Sequence, residues 1–93
     1  MKKFKKKMNG NVKAILFGAE WCNSCHALKP KFYDAVKKLD IRYDVIDVET
    51  DEGVELSTKY QVRNVPTILI FKNKELVGRE TGSAAYQKIK NYL

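Results

Sequence analysis

Cysteine is scarce in this 93-residue chain: there are two, Cys22 and Cys25, and nothing else to pair them with. That excludes the multi-bridge framework by which small secreted domains make up for a thin core. Histidine is scarcer, with His26 alone. Two cysteines and an adjacent histidine, whose direction is wrong for a closed tetrahedron, fall short of the four ligands of a structural zinc site. Methionine occurs only at Met1 and Met8. This bears on Cys22-x-x-Cys25-His26, which is also the attachment signature of c-type haem. Haem attachment needs export and a distal ligand, and the chain offers neither in a suitable place. No cofactor and no metal are expected. No apolar run approaches the ~20 residues of a membrane span, and no internal repeat is visible.

What is present describes a globular protein. The chain is 44% hydrophobic and 31% charged, far from a disordered composition. Its length allows one domain. The net charge of +7 is unevenly placed: Lys2, Lys3, Lys5, Lys6 and Lys7 carry five of it, and removing them leaves +2 for the rest. We therefore divide the chain into a lysine-rich tail, 1–11, and a folded domain, 12–93. Only Phe4 interrupts the lysines, so the tail lacks the stacking platforms of a single-strand binder. It reads as a solvated terminus, with no nucleic-acid or membrane partner expected. The tail also imitates the start of a signal peptide. However, the apolar stretch after it runs straight into the cysteine motif, leaving no room for a separate core segment and cleavage site. A cytoplasmic location follows, where a cysteine pair is more often catalytic than structural.

The rest of the chain is arranged around Ala19-Glu20-Trp21-Cys22-Asn23-Ser24-Cys25-His26. Val12-Lys13-Ala14-Ile15-Leu16-Phe17, nearly continuous apolar sequence, reads as a strand buried on both faces. After the motif, Leu28, Phe32, Ala35 or Val36, and Leu39 recur at helical spacing, with a kink expected at Pro30. Cys22 would then sit at a helix N-terminus, where unpaired N–H groups and the macrodipole favour a thiolate. Cys25 would lie one turn deeper, within reach for a ring closure. A strand-to-helix Cys-x-x-Cys of this kind is the layout of a thiol–disulfide redox site.

Further along, 41–48 reads as a second strand. Thr50-Asp51-Glu52 caps a short helix that carries Leu56 and Tyr60. Val65-Pro66 opens a third strand, 67–71. Lys72-Asn73-Lys74 is a turn with Asn73 at positive φ, and 75–81 returns as a polar edge strand. Ser83 is the expected N-cap of a closing helix that packs Ala85, Ile89 and Tyr92 or Leu93. The fold class is α/β: a β-α-β-α-β-β-α order, giving a four-stranded mixed sheet with helices on both faces.

With these residues in place, the sequence resembles the thioredoxin family. The carriers are Ala19-Glu20-Trp21-Cys22-x-x-Cys25, Pro30 five residues beyond Cys25, Val65-Pro66-Thr67, Phe71-Lys72-Asn73 with Glu75, and Gly82. The resemblance spans about 12–93 and implies a minimal thioredoxin-like fold, near glutaredoxin in length. It implies Cys22 as an exposed nucleophile, Cys25 as a more buried resolving thiol, and Pro66 in the cis form facing them. A docking surface of Trp21, Val65, Pro66 and Gly82 is also implied, with the Val65 backbone pairing with substrate. His26 is either a tuning cation for the Cys22 thiolate or a solvent-facing helix residue. The implied activity is reduction of disulfides in protein substrates by a monomer, which a thioredoxin-reductase-like or glutathione system then recycles. A glutathione-coupled, glutaredoxin-like enzyme and a redox-inactive binding module are the alternatives. The chain departs from the family at three places. Leu16 stands where the family has a buried aspartate, and its partner lysine falls near Val45. Asn23-Ser24 replaces Gly-Pro between the cysteines. The resolving thiol's proton must then go to Glu20 or to solvent.

Overall fold

The computed structural model describes residues 11–93, so all but the last residue of the lysine-rich tail lies outside the described part. The chain runs through β1 (Val12–Gly18), α1 (Asn23–Leu39), β2 (Arg42–Asp47), α2 (Asp51–Lys59), β3 (Thr67–Lys72) and β4 (Glu75–Thr81). It closes in a 3-10 helix, Ala85–Tyr92. Strand order across the sheet is β2-β1-β3-β4, with β1 parallel to β2 and antiparallel to β3, and β4 antiparallel to β3.

Each central strand serves two cores, because successive side chains leave opposite faces of a sheet. Val12, Ala14 and Leu16 of β1 and Ile68 and Ile70 of β3 meet Leu28, Phe32 and Val36 of α1, with Ala85 and Ile89 of the closing helix. On the other face Phe17, Ile46, Leu69 and Phe71 meet Leu56 and Tyr60 from α2 and its end. The near-unbroken apolar runs of β1 and β3 thus reflect a sheet covered on both sides.

Local signals set the ends of the elements. Thr50 caps α2 by accepting the Gly53 N–H at 3.0 Å, while Asp51 and Glu52 place negative charge in its first turn. Both hairpin residues, Asn73 (φ 53°) and Lys74 (φ 70°), are left-handed, as a two-residue turn between twisted strands requires. The helix α1 continues through Pro30. The closing segment differs from expectation. It is a 3-10 helix whose N-cap is Ala84, without a side-chain cap, and not an α-helix capped by Ser83. Gly82 enters it at φ 94°, and Ala85 N–H bonds to the Gly82 carbonyl at 3.1 Å, so three-residue backbone bonds take up the donors a hydroxyl would have served.

Candidate active site

The sheet register gathers four separate segments at one end. Gly18, at the end of β1, lies beside Asp47, at the end of β2; Phe17 lies beside Thr67, where β3 begins; and Thr67 lies beside Thr81, where β4 ends. The loops leaving these positions carry Trp21 and Cys22, Glu49, Val65 and Pro66, and Gly82.

Cys22 is itself the N-cap of α1. Its φ and ψ (−93°, 103°) are extended, and its sulfur accepts the Cys25 N–H at 3.2 Å. The two sulfurs are joined as a disulfide. The expected order of exposure holds, but not the exposure itself: Cys22 is 6% exposed and Cys25 1%. The reason is that Cys22 turns inward over its own helix end. Ala19, Val48 and Val65 pack around the sulfur pair. Gly18 completes the floor. A Cβ there would come within 3.2 Å of the Cys25 Cβ and 3.4 Å of its sulfur, so a side chain at the strand end would press on Cys25 and require it to shift by a few tenths of an ångström.

Trp21 is 64% exposed, and its indole N–H donates to the Glu49 carboxylate at 3.0 Å. An exposed apolar ring, next in sequence to Cys22, is thereby held in place. Glu49, 28 residues away, escaped the sequence reading because no short-range pattern links it to Trp21. The Val65–Pro66 peptide is cis, as expected, and the Pro66 carbonyl accepts the Gly82 N–H at 3.0 Å, tying the two loops together. Among the described residues neither the N–H nor the carbonyl of Val65 has a hydrogen-bond partner. Gly82 is exposed, with open space where a Cβ would be.

His26 makes no hydrogen bond to either sulfur. Its Nε2–H donates to the Glu20 carbonyl at 2.6 Å, bracing the segment that carries Trp21. Leu16 is fully buried and is the direct β-partner of Val45, so the two positions noted above as departures form one apolar pair in the sheet. A notch of about 160 Å³ lined by Gly18, Ala19, Glu20, Lys29, Val45, Ile46 and Asp47 borders the same place. A larger groove, about 700 Å³, lies between α1 and the closing helix and holds none of these residues. With both thiols spent on each other, the cysteines offer no metal-binding thiolate in this state. Among the described residues no three His, Cys, Asp or Glu side chains converge as a metal group. The arrangement can exchange one disulfide for another at an exposed surface.

A protein-family model for thioredoxin matches residues 1–93. Thioredoxin from Buchnera aphidicola subsp. Baizongia pistaciae is 36% identical over 92 residues, which is 97% of this chain and 84% of the relative. The fold matches the crystal structure of Fasciola hepatica thioredoxin with TM-score 0.80 at 25% identity, over 99% of this chain and 90% of that one. The solution structure of the oxidised Plasmodium falciparum thioredoxin matches with TM-score 0.75 at 26% identity, over 99% and 91%. Thioredoxins act on disulfide substrates and are recycled by thioredoxin reductase. A chain that joins this fold to a paired Cys22-x-x-Cys25 at a helix head belongs to the thioredoxin family and is a thiol–disulfide oxidoreductase.

Proposed function

We propose that this chain reduces disulfides in protein substrates, with Cys22 as the attacking thiolate and Cys25 as the resolving thiol. The observation that carries this order is the position of the two sulfurs. Cys22 caps α1 and receives the Cys25 N–H, while Cys25 lies one turn deeper at 1% exposure. A negative charge on Cys22 is supported by the unpaired donors of the helix start. A charge on Cys25 would be buried with less support.

The reaction then runs in two exchanges. The Cys22 thiolate attacks one sulfur of the substrate disulfide. That bond breaks, its electron pair leaves on the other substrate sulfur, and a mixed disulfide forms. Cys25 gives up its proton to water or Glu20, and its thiolate attacks the Cys22 sulfur. The mixed disulfide breaks, the second substrate sulfur leaves with the pair, and the Cys22–Cys25 bond closes. The substrate gains two electrons and the protein loses two. Glu20, exposed on the rim of the notch beside Gly18, gives the proton an outlet where an apolar Leu16–Val45 pair offers none.

Substrate docks across Trp21, Val65, Pro66 and Gly82. The exposed indole supplies apolar area, the unpartnered Val65 backbone supplies a donor and an acceptor for an extended segment, and Gly82 leaves room for it. His26 tunes the site from behind by holding the Glu20 carbonyl. A thioredoxin-reductase-like enzyme or glutathione restores the dithiol, with no bound cofactor, since the sulfurs carry the electrons. We place the protein in the cytoplasm as a monomer that needs neither nucleic acid nor membrane. Both cysteines serve one redox pair and none is spent on structure, as suits a reducing compartment. No helix of the described residues is long and apolar enough to cross a membrane.

The order of attack is tested by trapping. Cys25→Ser is expected to accumulate a covalent complex with a disulfide-bearing protein, released by dithiothreitol, and Cys22→Ser is expected to accumulate none. Equal trapping by both variants would refute the assignment.

A further inference from the structure

Besides the Cys25 N–H, one more hydrogen-bonding group reaches the Cys22 sulfur. The Ser24 oxygen lies 3.4 Å from it. In the disulfide neither sulfur carries a proton, so this contact is a hydrogen bond only with the Ser24 hydroxyl as donor. Two donors therefore converge on one sulfur, at 3.2 and 3.4 Å. Among the described residues no hydrogen bond reaches the sulfur of Cys25. The two halves of the disulfide are electrostatically unequal before any reductant arrives.

We propose that Ser24 is a positioning residue that directs the negative charge of the reduced site to Cys22, so that the dithiol form is stabilised as a Cys22 thiolate and a Cys25 thiol. This rests on the redox reading above and deepens it. Reduction by glutathione converts two glutathione thiols to one glutathione disulfide and delivers two electrons to the Cys22–Cys25 bond. Of the two thiol protons one goes to Cys25 and the other to solvent, and the charge left on Cys22 finds the Ser24 O–H and Cys25 N–H already aimed at it. Ser24 thereby favours the reduced protein and makes Cys22 the ready nucleophile. The side chains that cluster with the two cysteines, Ala19, Val48 and Val65, are apolar. The titratable groups of the surrounding segments are Cys25, His26 on the Glu20 carbonyl, Glu20 itself, Glu49 on the Trp21 indole, Asp47, and Lys29 of α1 in the notch beside Gly18. None of these is changed by substituting Ser24.

The test compares Ser24→Ala, Ser24→Thr and Asn23→Ala with the unaltered chain. Ser24 is exposed, so each fold is expected to survive, and thermal unfolding checks this. The readouts are the pH profile of Cys22 alkylation and the equilibrium with glutathione measured above that profile's midpoint. For Ser24→Ala the midpoint is expected to rise by about half a unit, an approximately threefold loss of thiolate on its acid side. The glutathione equilibrium should shift about threefold toward the disulfide, equivalent to about 14 mV at 29.6 mV per tenfold. The effect is modest because the bond is long and partly solvated. Ser24→Thr, which keeps a hydroxyl, should restore both values, and Asn23→Ala should move neither. An unmoved midpoint in Ser24→Ala, or a Thr variant that behaves like Ala, overturns the proposal with the redox reading intact. If the unaltered chain forms no internal disulfide in these buffers, the redox reading itself has failed and takes this proposal with it.

Discussion

At Cys22 two demands meet in one side chain: it closes the end of a helix and, in the reaction proposed above, must also attack another protein. The structure meets the first by folding the sulfur back onto the Cys25 N–H, leaving 6% of the residue exposed. In the proposed reaction the second falls to its neighbours. Trp21 is the clearest of these. Its 64% exposure means that it adds little to stability, while its bond to Glu49 holds the ring for the docking role proposed above. Trp21→Ala is accordingly expected to change the unfolding free energy by no more than about 0.5 kcal/mol. It should lower kcat/KM toward a folded protein disulfide about tenfold, a typical effect for losing an aromatic interface anchor. Turnover of a small disulfide should fall much less. Equal losses on both substrates, or a large drop in stability, would show that the ring is part of the core and not of the docking surface. The sequence pointed to Trp21 through its place before Cys22, but gave no hint of Glu49, whose partnership depends on how β2 ends.

At the scale of elements, helix and strand ends decided what could be read in advance. The Thr50 cap was legible because its signal is local: a hydroxyl followed by two acids. The closing helix was not, because its start depends on Gly82 being tied to Pro66 across the sheet, a contact no window of sequence contains. That helix is latched at its far end by Tyr92, whose hydroxyl donates to the Glu80 carboxylate on β4 and whose ring lies over Gly78. The bond to Glu80, then burial, then the charge of Glu80 raise the tyrosine above its ordinary value of 10.0. The sign follows from linkage. A phenol held protonated in the fold stabilises it fully below the unfolded value, and the contribution is lost as pH rises past about 10, where the unfolded chain ionises first. Tyr92→Phe is expected to be less stable at pH 7 by on the order of 1 kcal/mol, the worth of one such hydrogen bond. Above pH 10 its denaturation midpoint should fall less steeply than that of the unaltered chain. Parallel slopes would contradict the latch.

Across the whole molecule, the order of strands assembles the site. Because β3 runs antiparallel to β1, the start of β3 and the end of β1 share one edge, and β4 returns Gly82 to it. This topology was readable: two apolar runs too continuous for a one-faced sheet, separated by helical periodicities, required a sheet covered on both sides. The Cys-x-x-Cys at the strand-to-helix junction and Val65-Pro66 before a strand placed the chemistry. Burial of Cys22 and the tight seat of Cys25 over Gly18 were not readable, since both arise from a close approach of β1 to α1 that spacing alone does not reveal. The apolar partnership of Leu16 and Val45 was visible as two separate departures from the family, and the register shows them to be one. The central claim is that Cys22 and Cys25 form a reversible two-electron couple suited to reducing other disulfides. The measurement that tests it most directly is the equilibrium reduction potential, by thiol labelling and mass spectrometry across glutathione buffers of defined poise. The account expects a single two-electron transition between dithiol and internal disulfide near −270 mV, the value typical of thioredoxins. A transition above about −200 mV would contradict the reductive direction, and the absence of an internal disulfide at every poise would contradict the claim as a whole.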